Sequence, residues 1–162
     1  MNPIDIVIMA AGKGTRMKSR LPKVLQRLAG RPLLQHVLGQ ASALGARSAI
    51  VVTGHGAMEV EAACAGAISA GGQFDLKFVR QEPQLGTGHA VQQAAPLLQD
   101  DGTVVVLSGD VPLTQPGTVR ALVQASADEA LALLTVRLPD PKGYGRIVRG
   151  ADGLVRGIVE EK

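Results

Sequence analysis

Short runs rich in Val, Ile and Leu recur along the chain, and segments with helical spacing separate them. The runs cover residues 5–9, 48–52, 76–79, 103–107 and 131–136. Near-continuous apolar runs predict strands covered on both faces, as in a parallel sheet, because a strand with one wet face would alternate. Strands that alternate with helices predict an α/β fold with a doubly wound, mostly parallel sheet and right-handed crossovers.

The helix between the first two runs has the clearest pattern. Its apolar residues recur at helical spacing and are Leu33, Leu34, Val37, Leu38, Ala41 and Leu44. Pro32 is placed to start this helix and Gly45 to end it. Further helices are predicted over residues 57–70, 89–98 and 115–127.

The whole chain, residues 1–162, is predicted to form a single domain. Its length allows one core that buries roughly two-thirds of the unfolded surface. Short β pieces are predicted at residues 146–148 and 155–159, and the chain ends just behind the second. A complete domain rarely ends there without closing its sheet, so we expect this sequence to be a fragment.

A glycine-rich loop follows the first apolar run, where residues 10–25 read AAGKGTRMKSRLPKVL. Gly12 and Gly14 let backbone N–H groups approach an anion closely, and oriented N–H groups form an anion cradle. Arg16 and Lys23 add positive charge beside that cradle. A strand, a glycine turn and two cations are the parts needed to hold a polyphosphate.

This loop differs from the two commoner glycine motifs. The chain lacks the Gly-x-x-x-x-Gly-Lys-Ser/Thr string of a P-loop. The dinucleotide-binding fingerprint needs Gly or Ala where this chain has Met17, and an acidic residue about 20 residues further on. Gln35 and His36 stand at that distance, which argues against a dehydrogenase.

Two more loops follow predicted strands and should reach the same edge of the sheet, because ligands of open α/β sheets bind beyond the carboxyl ends of the strands. Asp110 follows the fourth run and suits Mg²⁺, which typically takes one or two protein carboxylates plus phosphate oxygens and water. A role as a helix cap or turn residue is the alternative. Gln81 follows the third run and could read a pyrimidine edge, with help from Gln84 or Thr87. An ordinary glycine loop leading into a helix is the alternative there.

Near the C-terminus, Gly145 lies in the string Gly-Tyr-Gly-Arg, which could form a hairpin turn or let a sugar or phosphate lie against the backbone. From the sequence alone, Glu160 is interpreted as a surface carboxylate. Cys64, the single cysteine, lies in an Ala-rich run and is expected to be a small buried hydrophobe. The three histidines are expected to be structural or solvated, because their spacing does not suit a zinc site.

The composition narrows the class of partner. The net charge of +3 suits an anionic ligand, but the cations are scattered and the three aromatic residues are too few for a base-stacking platform. We therefore expect no nucleic acid partner. No apolar run reaches the length of a membrane span and no signal peptide is evident, so a cytoplasmic protein is expected, with no membrane partner.

Five strings together resemble a known family: GKGTRMKSRLPKVL, QLGTGHA, LSGDVPL, DPKGYGRI and GIVEEK. In this order they resemble the N-terminal part of the bifunctional bacterial N-acetylglucosamine-1-phosphate uridylyltransferases / glucosamine-1-phosphate acetyltransferases. The resemblance covers essentially the whole chain, and it implies that residues 1–162 are a single nucleotide-binding domain, the N-terminal portion of a nucleotidyltransferase domain. It implies a Rossmann-like sugar-nucleotidyltransferase fold and Mg²⁺ as cofactor. The implied reaction converts UTP and N-acetylglucosamine-1-phosphate to UDP-N-acetylglucosamine and pyrophosphate, for peptidoglycan and lipopolysaccharide synthesis in the bacterial cytoplasm.

The resemblance also implies residue roles. The residues that match the nucleotide-binding loops are Ala10, Ala11, Gly12, Gly14, Thr15, Gln81, Gly86 and Thr87. Arg16 and Lys23 match the catalytic cations, and Asp110 matches the magnesium aspartate. Gly145 and Glu160 match positions that hold the amino sugar.

Relatives of this kind continue into a β-helix that carries the acetyltransferase and forms homotrimers. A second magnesium ligand and further sugar contacts are expected beyond residue 162. Two alternatives therefore stay open. The chain could be a UTP-binding module without turnover, or a related transferase with a different base or sugar.

Overall fold

The computed structural model describes residues 2–14, 17–68, 74–126 and 131–161. They group into two compact units, Met1–Ala130 and Leu131–Lys162. In chain order the elements are β1 (Ile4–Met9), β2 (Arg27–Leu28), β3 (Arg31–Pro32), α1 (Leu33–Leu44), β4 (Ser48–Thr53), α2 (Ala57–Ile68), β5 (Asp75–Arg80), α3 (Thr87–Ala94), β6 (Thr103–Ser108), α4 (Pro116–Ala125), β7 (Arg146–Arg149) and β8 (Val155–Val159). Whether the chain forms one functional domain stays a prediction.

The first unit is built on a four-stranded sheet in the order β5, β4, β1, β6. Every pair in this sheet is parallel. The chain runs outward from β1 to β4 and β5, then crosses back through α3 to β6 on the other side of β1. The strand order therefore reverses between β1 and β6, which is the point where open α/β sheets bind ligands. The mostly parallel α/β fold is confirmed.

Two apolar layers cover the two faces of the sheet. Ile4, Ile6 and Ile8 point to one face and pack with buried residues of α1, α2 and α4. Val7 points to the opposite face and packs with buried side chains of β4 and α3. The prediction of cover on both faces holds for β1 and β4, whose residues are almost all buried.

Strand β6 departs from that prediction. Val104 and Val106 are 41% and 43% exposed. They share the α3 face of the sheet, where α3 packs against β1, β4 and β5 instead. An apolar run shows that side chains can be buried, but it does not show which strands a helix will cover.

Helix α1 has the predicted limits. Pro32 stands at its N-terminus, and Gly45 ends it with φ of +67°. This left-handed conformation favours glycine, since a Cβ atom would be strained there. Helix α2 covers the predicted segment as far as Ile68, and residues 69–70 lie outside the described residues. Helix α3 begins two residues earlier than predicted and continues into a 3₁₀ turn at Ala95–Leu97.

The predicted strand at residues 131–136 is wrong, because this segment has no regular secondary structure. Leu131 and Val136 are 87% and 73% exposed. A strand forms only where a neighbouring strand accepts and donates its backbone hydrogen bonds, and the apolar pattern carries no information on that partner.

An ion-pair network links the amino ends of β1, β4 and β6, at the edge of the sheet opposite the cleft described below. The Asp5 carboxylate on β1 is 1% exposed and accepts hydrogen bonds from Arg47 and Ser48, the latter at 2.6 Å. Arg47 also donates to Asp101, 2.7 Å away, just before β6. Hydrogen bonds from Arg47 hold the pKa of Asp5 below its usual value.

The second unit contains one antiparallel hairpin, β7 and β8, with a register irregularity at Val148 and Arg149. These are the two short β pieces predicted from the sequence. Among the described residues of the chain, no helix has the length and apolar character needed to cross a membrane.

Candidate functional site

A cleft of about 470 Å³ opens at the carboxyl ends of β1 and β6, within the first unit. Its lining comes from the loops after β1, β5 and β6 and from the start of α3. The lining residues are Met9, Ala10, Ala11, Gly12, Gly14, Met17, Lys23, Val24, Gln81, Gln84, Gly86, Thr87, Ala90, Ser108 and Asp110. The cleft thus lies at the point where the strand order reverses, and its size suits a small ligand.

The loop after β1 leaves the sheet as a continuation of the strand. Ala10 and Ala11 are buried, and the N–H of Ala10 donates to Val52 O at 2.9 Å. Gly14 has φ of +60°, and a Cβ atom there would lie 2.8 Å from Cβ of Lys23. Glycine at this position therefore lets Lys23 pack against the loop. A Cβ atom on Gly12 would meet nothing within 4 Å, so that glycine borders open space.

Lys23 and Asp110 meet across the cleft. Lys23 begins a 3₁₀ turn anchored by the buried side chains of Val24 and Leu25. Its ammonium group forms an ion pair with the Asp110 carboxylate, and the two side chains are 41% and 29% exposed. A partly exposed ion pair contributes little to stability, so both charges remain available to a ligand.

The backbone around Asp110 is held in place from two sides. The N–H of Gly109 donates to Met9 O at 2.9 Å, and a Cβ atom on Gly109 would lie 3.0 Å from the same oxygen. On the other side, Nε2 of the buried Gln40 on α1 donates to Pro112 O at 2.9 Å. Oε1 of Gln40 is buried without a hydrogen-bond partner among the described residues.

Gln81 organises the loop after β5. Its backbone N–H donates to Thr53 O at 2.8 Å, and its side chain is 5% exposed. Its Nε2 donates to Gly86 O at 2.8 Å and lies 3.2 Å from Nδ1 of His89. Gly86 has φ of +99°, which strains any other residue. Gln81 thus holds the glycine turn that leads into α3.

The cleft contains one acidic side chain among the described residues, that of Asp110. No group of three or more His, Cys, Asp or Glu that could enclose a metal occurs in residues 2–14, 17–68, 74–126 and 131–161. One partly exposed carboxylate fits Mg²⁺ held largely by phosphate oxygens and water.

The structure brings most of the sequence-predicted site residues into this one cleft. They are Ala10, Ala11, Gly12, Gly14, Lys23, Gln81, Gly86, Thr87 and Asp110. Thr15 and Arg16 lie outside the described residues. Gly145 and Glu160 belong to the second unit, where a Cβ atom on Gly145 would lie 3.4 Å from Oε2 of Glu160. The functional roles of all these residues stay predictions.

Cys64 is buried, as predicted, and burial raises the pKa of its thiol to about 11. Sequence reasoning did not name five of the lining residues, which are Met9, Met17, Val24, Ala90 and Ser108. Ser108 ends β6 directly before Gly109 and Asp110, so its place at the strand end could have indicated it. Met17 gave no such signal, because an apolar side chain after a glycine loop is usually part of a core.

Comparisons with known proteins agree with this geometry. A family model described as a MobA-like NTP transferase domain matches residues 6–146. The chain is 78% identical over 162 residues to the bifunctional protein GlmU of Acidovorax sp. (strain JS42), covering 100% of this chain and 34% of that protein. It is 71% identical over 162 residues to bifunctional protein GlmU of Paracidovorax citrulli (strain AAC00-1), again covering 100% and 34%. The resemblance stated from the motifs is confirmed.

The chain therefore spans about a third of the length of the curated relatives it matches. Among solved structures, UDP-glucose pyrophosphorylase from Acinetobacter baumanii matches with a TM-score of 0.77 and 23% identity, covering 98% of this chain and 67% of that chain. At that identity the likeness concerns the fold alone, and it agrees with the predicted Rossmann-like α/β architecture.

Proposed function

The chain belongs to the MobA-like NTP transferase domain family, and we propose that its cleft binds UTP for transfer of the uridylyl group to N-acetylglucosamine-1-phosphate. The products are UDP-N-acetylglucosamine and pyrophosphate. The choice of these substrates rests on the family resemblance of the five sequence strings, and the identity to GlmU proteins over the whole chain supports it.

One observation carries the proposal. The glycine loop with Lys23, which follows β1, and Asp110, which follows β6, line one cleft where the strand order reverses. Gly12 borders open space, so packing within the described residues does not require glycine at this position. A phosphate group could approach the loop backbone there, which a side chain would hinder.

The reaction needs charge stabilisation more than proton transfer. A phosphate monoester has its second pKa near 6, so the sugar phosphate is already a dianion at neutral pH. One of its oxygens attacks the α-phosphorus of UTP, a new P–O bond forms, and the bond between the α-phosphorus and the bridging oxygen breaks. Pyrophosphate leaves with that electron pair. Positioning and electrostatic stabilisation dominate such transfers.

Within this proposal Lys23 binds the phosphates, and Arg16 in the same loop segment does so with it. Asp110 would hold Mg²⁺, which would supply positive charge that lowers the repulsion between the two anionic substrates. The ammonium group of Lys23, which pairs with Asp110 in the cleft, would then donate hydrogen bonds to the phosphates. Gln81, Gly86 and Thr87 hold the uracil base, and Gly145 with Glu160 holds the amino sugar.

The test is calorimetric titration of UTP into the chain with and without Mg²⁺, followed by a pyrophosphate-release assay with N-acetylglucosamine-1-phosphate. We expect binding of UTP that depends on Mg²⁺. Pyrophosphate release would show that these residues hold the catalytic set, and binding alone would make this chain a UTP-binding module. Absence of UTP binding, or tighter binding of CTP or GTP, would contradict the proposal.

A further inference from the structure

We propose that Gly56 is a positioning residue for Lys23 and acts on it through the ring of Pro22. This inference rests on the proposed function, in which Lys23 binds the phosphates of the nucleotide. Gly56 lies in the β4–α2 loop, residues 54–56, and none of these residues lines the cleft. The loop instead contacts two segments that do, at Ala11 and beside Lys23.

The phosphate site has two parts, and the chain that leads into the second part is exposed. The glycine loop continues from β1, whereas Lys23 begins a separate 3₁₀ turn. Residues 17–21, which precede this turn, are all exposed, so they make few buried contacts that could hold Lys23 in position. The position of Lys23 relative to the glycine loop therefore depends on contacts through space.

Gly56 makes one of these contacts. A Cβ atom on Gly56 would lie 2.6 Å from Cγ of Pro22, which is buried. This Cγ belongs to a ring that is closed onto the backbone, so it cannot rotate away as the end of a flexible side chain can. The carbonyl of Pro22 accepts a hydrogen bond from the N–H of Leu25 at 2.9 Å, and this bond closes the turn that begins at Lys23. A displacement of Pro22 would therefore displace Lys23.

The β4–α2 loop is itself held in place and cannot easily move away from Pro22. A Cβ atom on Gly54 would lie 3.0 Å from Cβ of Ala11 and 3.1 Å from its carbonyl oxygen. The N–H of His55 donates to the same oxygen at 3.4 Å. The loop thus contacts the glycine loop at one end and the Lys23 turn at the other, and it sets the spacing between them.

That spacing matters for phosphate binding. An ammonium group donates to a phosphate oxygen at about 2.7–2.9 Å, so a small shift of the Lys23 turn weakens this hydrogen bond. A phosphate held against the backbone of the glycine loop cannot follow the ammonium group, because its other contacts are fixed. Glycine at residue 56 therefore serves the affinity for phosphate as well as the fold.

The first test compares two alanine variants of the unligated protein by NMR. Gly56→Ala is matched by Gly45→Ala, since both residues have φ of +67° but a Cβ atom on Gly45 would meet nothing within 4 Å. We expect Gly56→Ala to shift the amide resonances of Lys23 and Leu25 and the carboxyl carbon of Asp110, which pairs with Lys23. Gly45→Ala should shift none of these. Unchanged resonances in a folded Gly56→Ala protein would overturn the inference.

The second test is a double-mutant cycle on UTP affinity, measured by calorimetry with Mg²⁺. Gly56→Ala should lower the affinity about fivefold, and in the Lys23→Met background it should have almost no further effect, because residues that act through one contact are not additive. Gly45→Ala should bind UTP as wild type does. An equal loss in both backgrounds would show that Gly56 supports the cleft without acting through Lys23, and would overturn the inference.

Pro22→Ala decides both measurements if Gly56→Ala does not fold, because it removes the ring and leaves the β4–α2 loop unchanged. We expect the same resonances to shift, and UTP affinity to fall several-fold in wild type but not in the Lys23→Met background. A loss that does not depend on Lys23 would overturn the inference. If wild type does not bind UTP, the proposed function fails, whereas the NMR comparison still decides whether Gly56 positions Lys23.

Discussion

Lys23 and Asp110 carry opposite charges and contact each other in the cleft, yet each has a different partner in the proposed reaction. The Lys23 ammonium belongs with the phosphates, and the Asp110 carboxylate belongs with the metal. Their ion pair keeps both charges balanced while the cleft is free of ligand. A substitution of Lys23 should therefore affect the nucleotide and the metal differently.

Lys23→Met should lower the affinity for UTP by about tenfold or more, because a charge-assisted hydrogen bond to phosphate is lost. Any pyrophosphate release should fall on the order of 10²-fold, as it does when electrostatic stabilisation is removed elsewhere. Binding of Mn²⁺ without nucleotide, followed by electron paramagnetic resonance, should not weaken, since Asp110 loses a competing cation.

Lys18→Met is the matched control for this substitution. Lys18 is exposed in the same segment and does not line the cleft, so its removal should change neither affinity. Equal losses of UTP affinity in both variants would indicate a general effect of net charge and contradict the specific role of Lys23.

Asp5 gives a prediction about stability and pH. Its folded-state pKa is lowered by the bonds from Arg47, so its contribution is present above the unfolded pKa of about 3.9 and is lost as pH falls through the folded value. Asp5→Asn should lower the free energy of unfolding by about 2 kcal/mol at pH 7. The difference from wild type should shrink below about pH 4.

Urea denaturation at pH 7 and at successively lower pH measures this effect. Asp100→Asn, which changes an exposed carboxylate at the neighbouring turn, is the control and should have almost no effect at either extreme. A constant difference between wild type and Asp5→Asn across this range would show that the ionised carboxylate is not what stabilises the fold.

At the scale of elements, the sequence signals that predicted the structure correctly are local. Pro32 and Gly45 define α1 because each restricts or permits particular backbone angles at one position. Gln81 and Asp110 could be found because both follow apolar runs, and parallel strands bring their carboxyl ends to one edge. The failed strand at residues 131–136 needed a partner strand, which no local signal supplies.

Contacts between distant elements could not be predicted from sequence. Gln40 lies among the apolar residues of α1, and its partner, the carbonyl of Pro112, is far along the chain. Nδ1 of His89 on α3 lies 3.2 Å from Nε2 of Gln81, across a turn whose shape depends on Gly86. In both cases the role of a polar side chain is set by the atom it faces after folding.

Gln40 gives a prediction at this scale, because it ties α1 to the loop that carries Asp110. Gln40→Met removes the bond to Pro112 O and also removes the unpaired Oε1, so the two effects on stability should partly cancel. We expect a melting temperature within a few degrees of wild type. The loop should become more mobile, and Mn²⁺ affinity in the presence of UTP should fall several-fold.

Gln35→Met is the matched control for Gln40→Met. Gln35 also lies on α1 and donates to a backbone carbonyl, that of Ala63 at 3.3 Å, but this bond ties α1 to α2. Its loss should leave metal affinity unchanged. A similar fall of Mn²⁺ affinity in both variants would mean that α1 supports the site only through general stability.

At the scale of the whole molecule, the two units differ in the apolar contacts that could stabilise them. Among the described residues, the two apolar clusters are built from residues between Ile4 and Val123, all in the first unit. In the second unit, the hairpin residues Ile158 and Val159 are 55% and 57% exposed. An isolated two-stranded hairpin is marginally stable at best in water.

A chain of residues 1–130 should therefore fold by itself, because it keeps both clusters and the Asp5 network. We expect a cooperative thermal transition by circular dichroism, within a few degrees of the 162-residue chain, and the same Mg²⁺-dependent binding of UTP. Residues 131–162 alone should show no cooperative transition. If residues 1–130 were unfolded, the second unit would have to supply stability that the two clusters do not, and the nucleotide cleft could not be assigned to the first unit alone.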